Sequence, residues 1–336
     1  AARRLGVSPS QAVVIEDSTA GVEAARSGGF GLVVGIDRVK QRTRLEAAGA
    51  DLVLRDPGEL DIGLVLSHPW QLIYDGFDPW HEGHREALTT LGNGRMGTRG
   101  TAPEARADSI HYPGTYAAGI FNRVPEVIGG ETAWNEHMVN LPNWLPVDLR
   151  FGSGGWWSEG GLILRREHRS LDMQRAVLTR RVLLEDGNGR QLDVVQRRIV
   201  SMASPALAAL ETTVTARGWD GPVEFRTGID ADIRNANVAE DASLGNRHLH
   251  TLAVDSQSGM ESAEVETTQS QLRIAVAVRV TFRADAPVHS SRLPGAFRAG
   301  ADSSRWLQHH HGQLRDGEPL GVLKTAAVVT SRDRAI

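Results

Sequence analysis

Residues 175–202 read RAVLTRRVLLEDGNGRQLDVVQRRIVSM and contain the most informative pattern in the chain. Two strand-like runs, residues 175–185 and 190–202, flank the segment Asp186-Gly187-Asn188-Gly189. Asp, Asn and Gly are the residues that most readily adopt a positive φ in a turn. The pattern therefore predicts a long antiparallel β-hairpin.

Further strand-like runs follow this hairpin. They lie at residues 207–217, 223–227, 247–254, 263–268, 272–282 and 320–329, and the turn Trp219-Asp220-Gly221-Pro222 separates the first two. Many antiparallel strands joined by turns are typical of a large β-sandwich. We expect this sandwich to occupy residues 70–336.

Residues 1–60 follow a different pattern, in which apolar runs alternate with helix-forming segments. The apolar runs lie at residues 12–15, 30–36 and 51–54, and the helix formers at residues 20–26 and 42–48. This order predicts a βαβαβ unit with a parallel sheet. Because so small a sheet leaves one face uncovered, we expect residues 1–60 to be the truncated end of a Rossmann-like α/β domain.

Proline and glycine punctuate the chain between these two patterns. Pro57, Gly58, Pro69, Gly76 and Pro79 place the domain boundary near Pro69, with residues 61–69 as a linker. The sequence begins without an initiator Met and ends without a glycine or proline after its last predicted strand. We therefore expect the chain to be a fragment of a longer protein.

The composition excludes several classes of function. The chain has 336 residues, 40% hydrophobic and 23% charged, which fits a globular protein of about two domains. Its net charge of −4 argues against nucleic acid as a partner. The absence of cysteine excludes disulfides, cysteine zinc sites and a thiol nucleophile. No apolar run reaches the roughly 20 residues that cross a membrane, and without a signal segment the expected location is the cytoplasm.

Two adjacent carboxylates, Glu16 and Asp17, follow the first predicted strand. Open α/β sheets place their sites at the carboxyl ends of strands, and carboxylate oxygens are the ligands that Mg²⁺ prefers. The alternative is that Asp17 or Ser18 only caps the next helix while Glu16 is solvated. Spacing alone does not decide between these interpretations.

The acidic pair lies in the run Val13-Val14-Ile15-Glu16-Asp17-Ser18-Thr19-Ala20-Gly21. This run resembles the fourth motif of the haloacid-dehalogenase-like superfamily, in its β-phosphoglucomutase-like branch. By this resemblance, Glu16 and Asp17 are Mg²⁺ ligands. The superfamily's nucleophilic Asp would lie upstream of Ala1, so we expect weak Mg²⁺ binding and no phosphomutase activity in this chain.

Residues 92–100 form the second candidate, with glycines at positions 92, 94, 97 and 100. So many glycines in a short segment predict a tight, bent loop, and Asn93-Gly94 is a typical turn pair. The segment is not a P-loop, because it lacks the Lys-Ser/Thr end. The residues assigned to this structural loop are Asn93, Gly94, Gly97, Arg99 and Gly100; the glycines are expected to act through backbone shape, and Arg99 by bracing the entrance of a following domain.

Three motifs follow one another from this loop onward. They are Gly94-x-x-Gly97-x-Arg99-Gly100, Gly114-Thr115-Tyr116-x-Ala118-Gly119 and Asn140-Leu141-Pro142-Asn143-Trp144. Together they resemble the amino-terminal domain of glycoside hydrolase family 65, the kojibiose, trehalose and maltose phosphorylases. In that family an (α/α)₆ barrel after the sandwich carries the general-acid Glu and the phosphate site, and this sequence does not contain the barrel.

No catalytic residue is predicted within the sandwich. Glu131, Glu136 and Asp148 are carboxylates available for acid chemistry, but surface charge is the favoured interpretation for each. The run His309-His310-His311 is interpreted as a solvated or interface loop and not as a metal site.

Tryptophan is unusually frequent, and its rings can stack on sugars or fill cores. Core packing is the favoured interpretation. Because neighbours in a strand face opposite ways, we expect at most one of Trp156 and Trp157 in the core. The eight tryptophans are at positions 70, 80, 134, 144, 156, 157, 219 and 306.

The two resemblances imply a bifunctional carbohydrate enzyme. A phosphorylase of an α-linked glucose disaccharide, trehalose or kojibiose before maltose, would be joined to a β-phosphoglucomutase that consumes its β-glucose 1-phosphate. The partners would be a disaccharide, inorganic phosphate and glucose phosphate, with Mg²⁺ as cofactor, and a homodimer is left open. Two alternatives also stay open: a sugar-phosphate phosphatase joined to a trehalose or maltose hydrolase, and a non-catalytic carbohydrate-binding or scaffold module.

Overall fold

A computed structural model of the chain divides into two compact units, Ala1–Gln71 and Leu72–Ile336, close to the boundary expected near Pro69. The structure describes residues 9, 12–60, 70–128, 131–236, 246–257, 259–284, 287–292, 305 and 307–333. The expected linker at residues 61–69, both chain ends and Trp306 lie outside the described residues. In the described part of the chain, no helix is long and apolar enough to cross a membrane.

The first unit contains a three-stranded parallel sheet in the order β1-β2-β3. Val33 on the central strand packs with Val22 and Leu45 from the two helices in one hydrophobic cluster. The predicted alternation of strands and helices is confirmed for these residues. The elements are β1 (Val13–Glu16), α1 (Thr19–Ser27), β2 (Leu32–Ile36), α2 (Arg42–Ala47) and β3 (Leu52–Leu54).

The second unit consists mostly of antiparallel strands, with one α-helix, α3 (Glu82–Leu88), among its described residues. Its strands are β4 (Gln71–Asp75), β5 (Leu91–Gly92), β6 (Met96–Thr98), β7 (Thr115–Ala117), β8 (Phe121–Ile128), β9 (Glu131–Met138), β10 (Val147–Phe151), β11 (Ile163–Asp172), β12 (Val177–Glu185), β13 (Gln191–Val200), β14 (Leu207–Arg217), β15 (Gly221–Thr227), β16 (Leu249–Gln257), β17 (Met260–Thr267), β18 (Arg273–Arg283), β19 (His289–Arg292), β20 (Gln308–Leu314) and β21 (Pro319–Thr330).

Two of the sheets in this unit form a β-sandwich. The larger has nine strands in the order β16-β17-β18-β21-β14-β13-β12-β11-β4, and the smaller has four in the order β10-β15-β20-β19. Phe225 and Leu149 of the smaller sheet share a hydrophobic cluster with Val194 and Val214 of the larger. The predicted large antiparallel sandwich is therefore confirmed.

β12 and β13 form the predicted long hairpin, in register from Leu178 opposite Arg198 to Glu185 opposite Gln191. The turn depends on Asp186, whose Oδ1 accepts hydrogen bonds from the N–H groups of Asn188 and Arg190 at 2.9 Å. Gly189 has a φ of +81°, a left-handed conformation that favours glycine.

One local prediction is wrong: the run His309–His311 lies in strand β20 and not in a loop. The helix α3 has no counterpart among the predicted elements. Of the Trp156-Trp157 pair Trp157 alone is buried, as expected, and it begins a 3-10 helix, Trp157–Glu159.

Candidate functional site

The tight loop predicted within residues 92–100 is the turn that joins β5 to β6. Gly94 has a φ of +84°, which a residue with a side chain adopts only under strain. Asn93 Oδ1 accepts hydrogen bonds from the N–H groups of Arg95 and Met96 at 3.0 and 2.9 Å. Its Nδ2 donates to Ser201 O at 2.7 Å, which fixes the turn to the end of β13. Gly97 lies within β6.

Arg99 and Gly100 follow β6 and lie against α3. The Arg99 guanidinium donates to Tyr112 O at 2.9 Å and to Gly83 O at 2.7 Å. Gly100 N donates to Glu86 O at 2.9 Å. These bonds tie the glycine-rich segment to the helix and to the chain before β7, so Arg99 braces the sandwich domain itself.

The other two sequence motifs pack against this segment. Arg99 N donates to Gly114 O at 2.8 Å, and a Cβ at Gly114 would lie 2.6 Å from Arg99 Cδ. Asn140 Oδ1 accepts a hydrogen bond from Thr115 N at 3.0 Å, while Asn140 Nδ2 donates to Pro113 O at 3.0 Å. The polar groups of Arg99, Gly114, Thr115 and Asn140 named above are thus used by the internal structure of the domain.

A cavity of about 600 Å³ opens beside this segment. The irregular chain between β6 and β7 forms one wall, and the 3-10 helix at Trp157 forms another. Its lining combines aromatic rings with many charged groups, a mixture that suits a polar ligand. The lining side chains include Phe77, Glu82, Glu104, Arg106, Asp108, His111, Trp157, Glu159, Arg180, Arg226 and Arg305.

Arg180, which lines the cavity, belongs to a row of polar residues on the inward face of the nine-stranded sheet. Arg169, Arg180, Gln196 and Thr212 lie side by side in register across β11, β12, β13 and β14. All four are buried. We call these four residues the polar belt; it lies between the two large hydrophobic clusters of the sandwich.

Arg180 is the centre of a buried ion-pair network. Its Nε donates to Glu167 Oε1 at 2.9 Å, and its second terminal nitrogen donates to Glu167 Oε2 at 3.1 Å. Its other terminal nitrogen donates to Glu104 Oε1 at 2.8 Å. Arg169 joins Glu167 to Glu82, with a distance of 2.5 Å to Glu82 Oε1. Breaking such a buried pair leaves an uncompensated charge, which is strongly destabilising.

The pKa values of the two carboxyl groups on Arg180 are shifted in opposite directions. Burial alone would raise the pKa of Glu167, but Arg180 and Arg169 outweigh it and lower that pKa to about 2. Burial raises the pKa of Glu104, although Arg180 opposes the shift. Glu104 therefore takes up a proton more readily than Glu167 does, and sequence reasoning missed both residues.

Asp148 and Arg226 form a second buried pair near the opposite wall. Arg226 Nε donates to Asp148 Oδ2 at 3.0 Å, and the Ser158 hydroxyl donates to the same oxygen at 2.8 Å. Burial raises the pKa of Asp148 despite these partners. The interpretation of Asp148 as surface charge is wrong, since its side chain is buried.

The cavity is built for binding more than for proton transfer. Glu82, Glu104 and Glu159 are each held by an arginine. Asp108 accepts the backbone N–H groups of Ile110 and His111. Arg106 is mostly exposed and can meet a ligand from solution. The arrangement can bind a polyhydroxylated or anionic molecule through fixed charges.

Glu131, Glu136 and the described tryptophans other than Trp157 are not among the residues that line this cavity. Glu136 is exposed and pairs with Arg123 at 2.9 Å, and Glu131 is exposed. Trp144 is fully buried and Trp219 stacks on Phe151, whereas Trp70, Trp80 and Trp134 are exposed. One sequence signal could have revealed both the polar belt and the cavity: a polar residue at a strand position whose side chain points inward. Arg180 is an example, because it lies between the inward-facing Leu178 and Val182.

Glu16 and Asp17 lie at the carboxyl end of β1. Ser18 caps α1, because its Oγ accepts a hydrogen bond from Gly21 N at 3.1 Å. The Asp17 carboxylate is exposed and lies 3.7 Å from Arg38 Nε. Among the described residues, no third acidic or histidine side chain joins this pair in a group of metal-binding dimensions. The two carboxylates fit the ligand type of Mg²⁺ but supply only part of its octahedral shell.

A family model matches residues 72–336, the whole of the second unit: it is described as glycosyl hydrolase family 65, N-terminal domain. The chain is also similar to an uncharacterized glycosyl hydrolase of Mycobacterium tuberculosis, with 35% identity over 320 residues. That match covers 93% of this chain and 24% of the relative.

A second relative is the kojibiose phosphorylase of Caldanaerobacter subterraneus subsp. tengcongensis. It is 30% identical over 215 residues, which cover 62% of this chain and 25% of the relative. The chain thus spans about a quarter of the length of these curated relatives.

A solved structure, a provisionally named kojibiose phosphorylase from the human microbiome, has a similar fold. The TM-score is 0.63 at 13% identity, and the match covers 80% of this chain and 33% of the other. At this identity the likeness shows the fold alone.

Proposed function

The chain belongs to glycosyl hydrolase family 65 through its N-terminal domain, and from this membership we propose that it is the sandwich part of a disaccharide phosphorylase. The observation that carries the proposal is the unbroken family match over residues 72–336. The kojibiose phosphorylase relative supports phosphorolysis as the reaction. The sandwich would be the framework on which the catalytic part of the enzyme is mounted.

In the proposed reaction, an oxygen of inorganic phosphate attacks the glycosidic carbon of an α-linked glucose disaccharide. The bond to the leaving sugar breaks, and a carboxylic acid donates a proton to the departing oxygen. The products are β-glucose 1-phosphate and glucose. The acid would come from the barrel of the longer protein, since the described carboxylates of the sandwich cavity are already held by arginines or backbone groups.

The α/β unit is proposed to be the end of a haloacid-dehalogenase-like β-phosphoglucomutase domain. Glu16 and Asp17 at the end of β1 would hold Mg²⁺, which would bind the phosphate of a glucose phosphate. The Mycobacterium tuberculosis relative matches 93% of this chain, so its similarity must extend into the α/β unit. This supports a natural fusion, in which the second activity consumes the β-glucose 1-phosphate that the first one forms.

A second candidate function is hydrolysis. The Mycobacterium tuberculosis relative is named an uncharacterized glycosyl hydrolase, and in a hydrolase water would replace phosphate as the attacking group. The α/β part would then serve a sugar-phosphate phosphatase. For residues 1–336 alone, a non-catalytic carbohydrate-binding or scaffold role also fits the polar cavity.

The proposal is tested on a protein that includes this chain with its natural flanking sequence. Kojibiose, trehalose and maltose are each incubated with inorganic phosphate without Mg²⁺, so that the proposed phosphoglucomutase part is inactive, and sugar phosphates are identified by NMR. We expect β-glucose 1-phosphate from kojibiose or trehalose before maltose. Residues 1–336 alone are the control and should give no product. If none of the three sugars yields glucose 1-phosphate, the proposal is wrong.

A further inference from the structure

The outward face of the four-stranded sheet carries an unusual group of side chains. His309 and His311 are two residues apart on β20, so both point away from the core, while His310 between them is buried. Glu224 on the neighbouring strand β15 lies directly opposite His311 in register. Two imidazoles and a carboxylate thus lie together on one rigid surface.

The candidate ligand atoms of this group are close enough to bind one metal ion. His309 Nε2 lies 2.8 Å and His311 Nδ1 lies 3.5 Å from Glu224 Oε2, and all three ligand atoms fall within 4.8 Å of one another. Although it is close to the carboxylate, His309 Nε2 is buried and has no hydrogen bond of acceptable geometry. Ligands of one Zn²⁺ at about 2.0–2.1 Å lie roughly 3.4 Å apart, so small ring rotations suffice.

A third histidine is available on the next strand. His289 on β19 lies directly opposite His311 in register. Residues directly opposite in an antiparallel pair share a face, with Cβ atoms about 4.5–5.5 Å apart. His289 is exposed, so its ring can turn towards His311 from the open side.

The surroundings hold the carboxylate in place without using all its acceptor capacity. Arg150 donates to Glu224 Oε1 at 3.1 Å and to Oε2 at 2.9 Å. A carboxylate has about four lone-pair sites, so Oε2 can accept from Arg150 and still bind an ion. Ligating carboxylates commonly keep such an outer partner. Trp156 packs against the His309 ring at 5.4 Å and limits its motion.

We propose that Glu224, His309 and His311, with His289 as an adaptable fourth ligand, form a binding site for a divalent transition metal ion, best matched by Zn²⁺. Imidazole nitrogens select such ions over Mg²⁺ and Ca²⁺, which prefer oxygen ligands. The sheet supplies the geometry, because the register of β15, β20 and β19 is fixed by their backbone pairing. This site is independent of the proposed phosphorylase activity.

A second group of similar size, Glu82, Glu86 and His111, is less suited to bind a metal ion. Arg169 pairs with Glu82 at 2.5 Å, and Tyr112 N donates to Glu86 Oε2 at 2.9 Å. Both carboxylates are buried, whereas His311 is half exposed. The group on the outward face is the accessible one.

The test uses the full 336-residue chain without a histidine tag. Zn²⁺ is titrated by calorimetry and against a chromophoric chelator. We expect one equivalent to bind and affinity to fall at least tenfold in His309→Ala and in His311→Ala. His250→Ala is the matched control, because His250 lies 3.4 Å from Glu266 on another sheet, and the described residues around it form no group of metal-binding dimensions. Its affinity should equal that of the natural chain.

Circular dichroism checks that each variant is folded. Because His311 is half exposed, we expect His311→Ala to disturb the fold less than His309→Ala does. The absence of Zn²⁺ binding by the natural chain would overturn the proposal. Full affinity in a His309→Ala/His311→Ala double variant, or an equal loss in His250→Ala, would overturn it as well. Neither result bears on phosphorolysis, which is measured separately.

Discussion

Gly100 is the glycine of the 92–100 segment at which a side chain meets the largest obstacle. A Cβ there would lie 1.9 Å from Thr89 Oγ1 and 3.1 Å from Thr89 O. Gly100→Ala therefore has to displace the end of α3, and we expect the free energy of unfolding to fall by about 1–3 kcal/mol. Urea denaturation followed by circular dichroism measures this change.

Gly97→Ala is the matched control for Gly100→Ala. A Cβ at Gly97 would lie 3.6 Å from Leu91 O, an ordinary contact, and Gly97 has no positive φ. We expect its free energy of unfolding to stay within about 0.5 kcal/mol of that of the natural chain. Equal destabilisation by the two variants would show that space at Gly100 is not the cause.

Single residues differ in how far the sequence predicts their role. A turn glycine acts through its own φ, so the two adjacent residues Asn93-Gly94 are enough to predict the turn. Arg180 and Glu104 act through each other across a separation of 76 residues. No local pattern reports such a partner, and an arginine at an inward position is the only local sign that it exists.

At the scale of elements, long strands were predicted well and short elements poorly. β14 has the bounds Leu207–Arg217 that its pattern predicts, because a long apolar and β-branched run specifies a strand by itself. The short helix α3 depends on Glu82 and Glu86, which pair with the distant Arg169 and His111. The histidine run of β20 was assigned to a loop because its pairing with β15 is also distant in sequence.

β1 and its acidic end give a prediction at the same scale. Because Glu16 and Asp17 supply only part of the octahedral shell of Mg²⁺, we expect this ion to bind weakly. Asp17→Asn should remove the binding that calorimetry measures. Glu46→Gln, which changes an exposed carboxylate on α2, should have no effect. The chain should not convert β-glucose 1-phosphate. Robust Mg²⁺-dependent turnover that Asp17→Asn abolishes would contradict this expectation.

At the scale of the whole molecule, two compact units share one chain, and the second matches a carbohydrate-enzyme family along its full length. The three family motifs of this unit are engaged in its own packing. The carboxylates of its cavity are held by arginines or backbone N–H groups. These features fit a framework domain, whose activity depends on the longer protein.

Phosphate dependence tests this account most directly. The protein with its natural flanking sequence is incubated with kojibiose, with and without inorganic phosphate, and both glucose and glucose 1-phosphate are measured over time. With Mg²⁺ omitted, so that the proposed phosphoglucomutase part does not consume the product, the account predicts equal amounts of glucose and β-glucose 1-phosphate when phosphate is present, and no glucose when phosphate is omitted. Release of glucose at the same rate without phosphate would contradict it and identify the enzyme as a hydrolase.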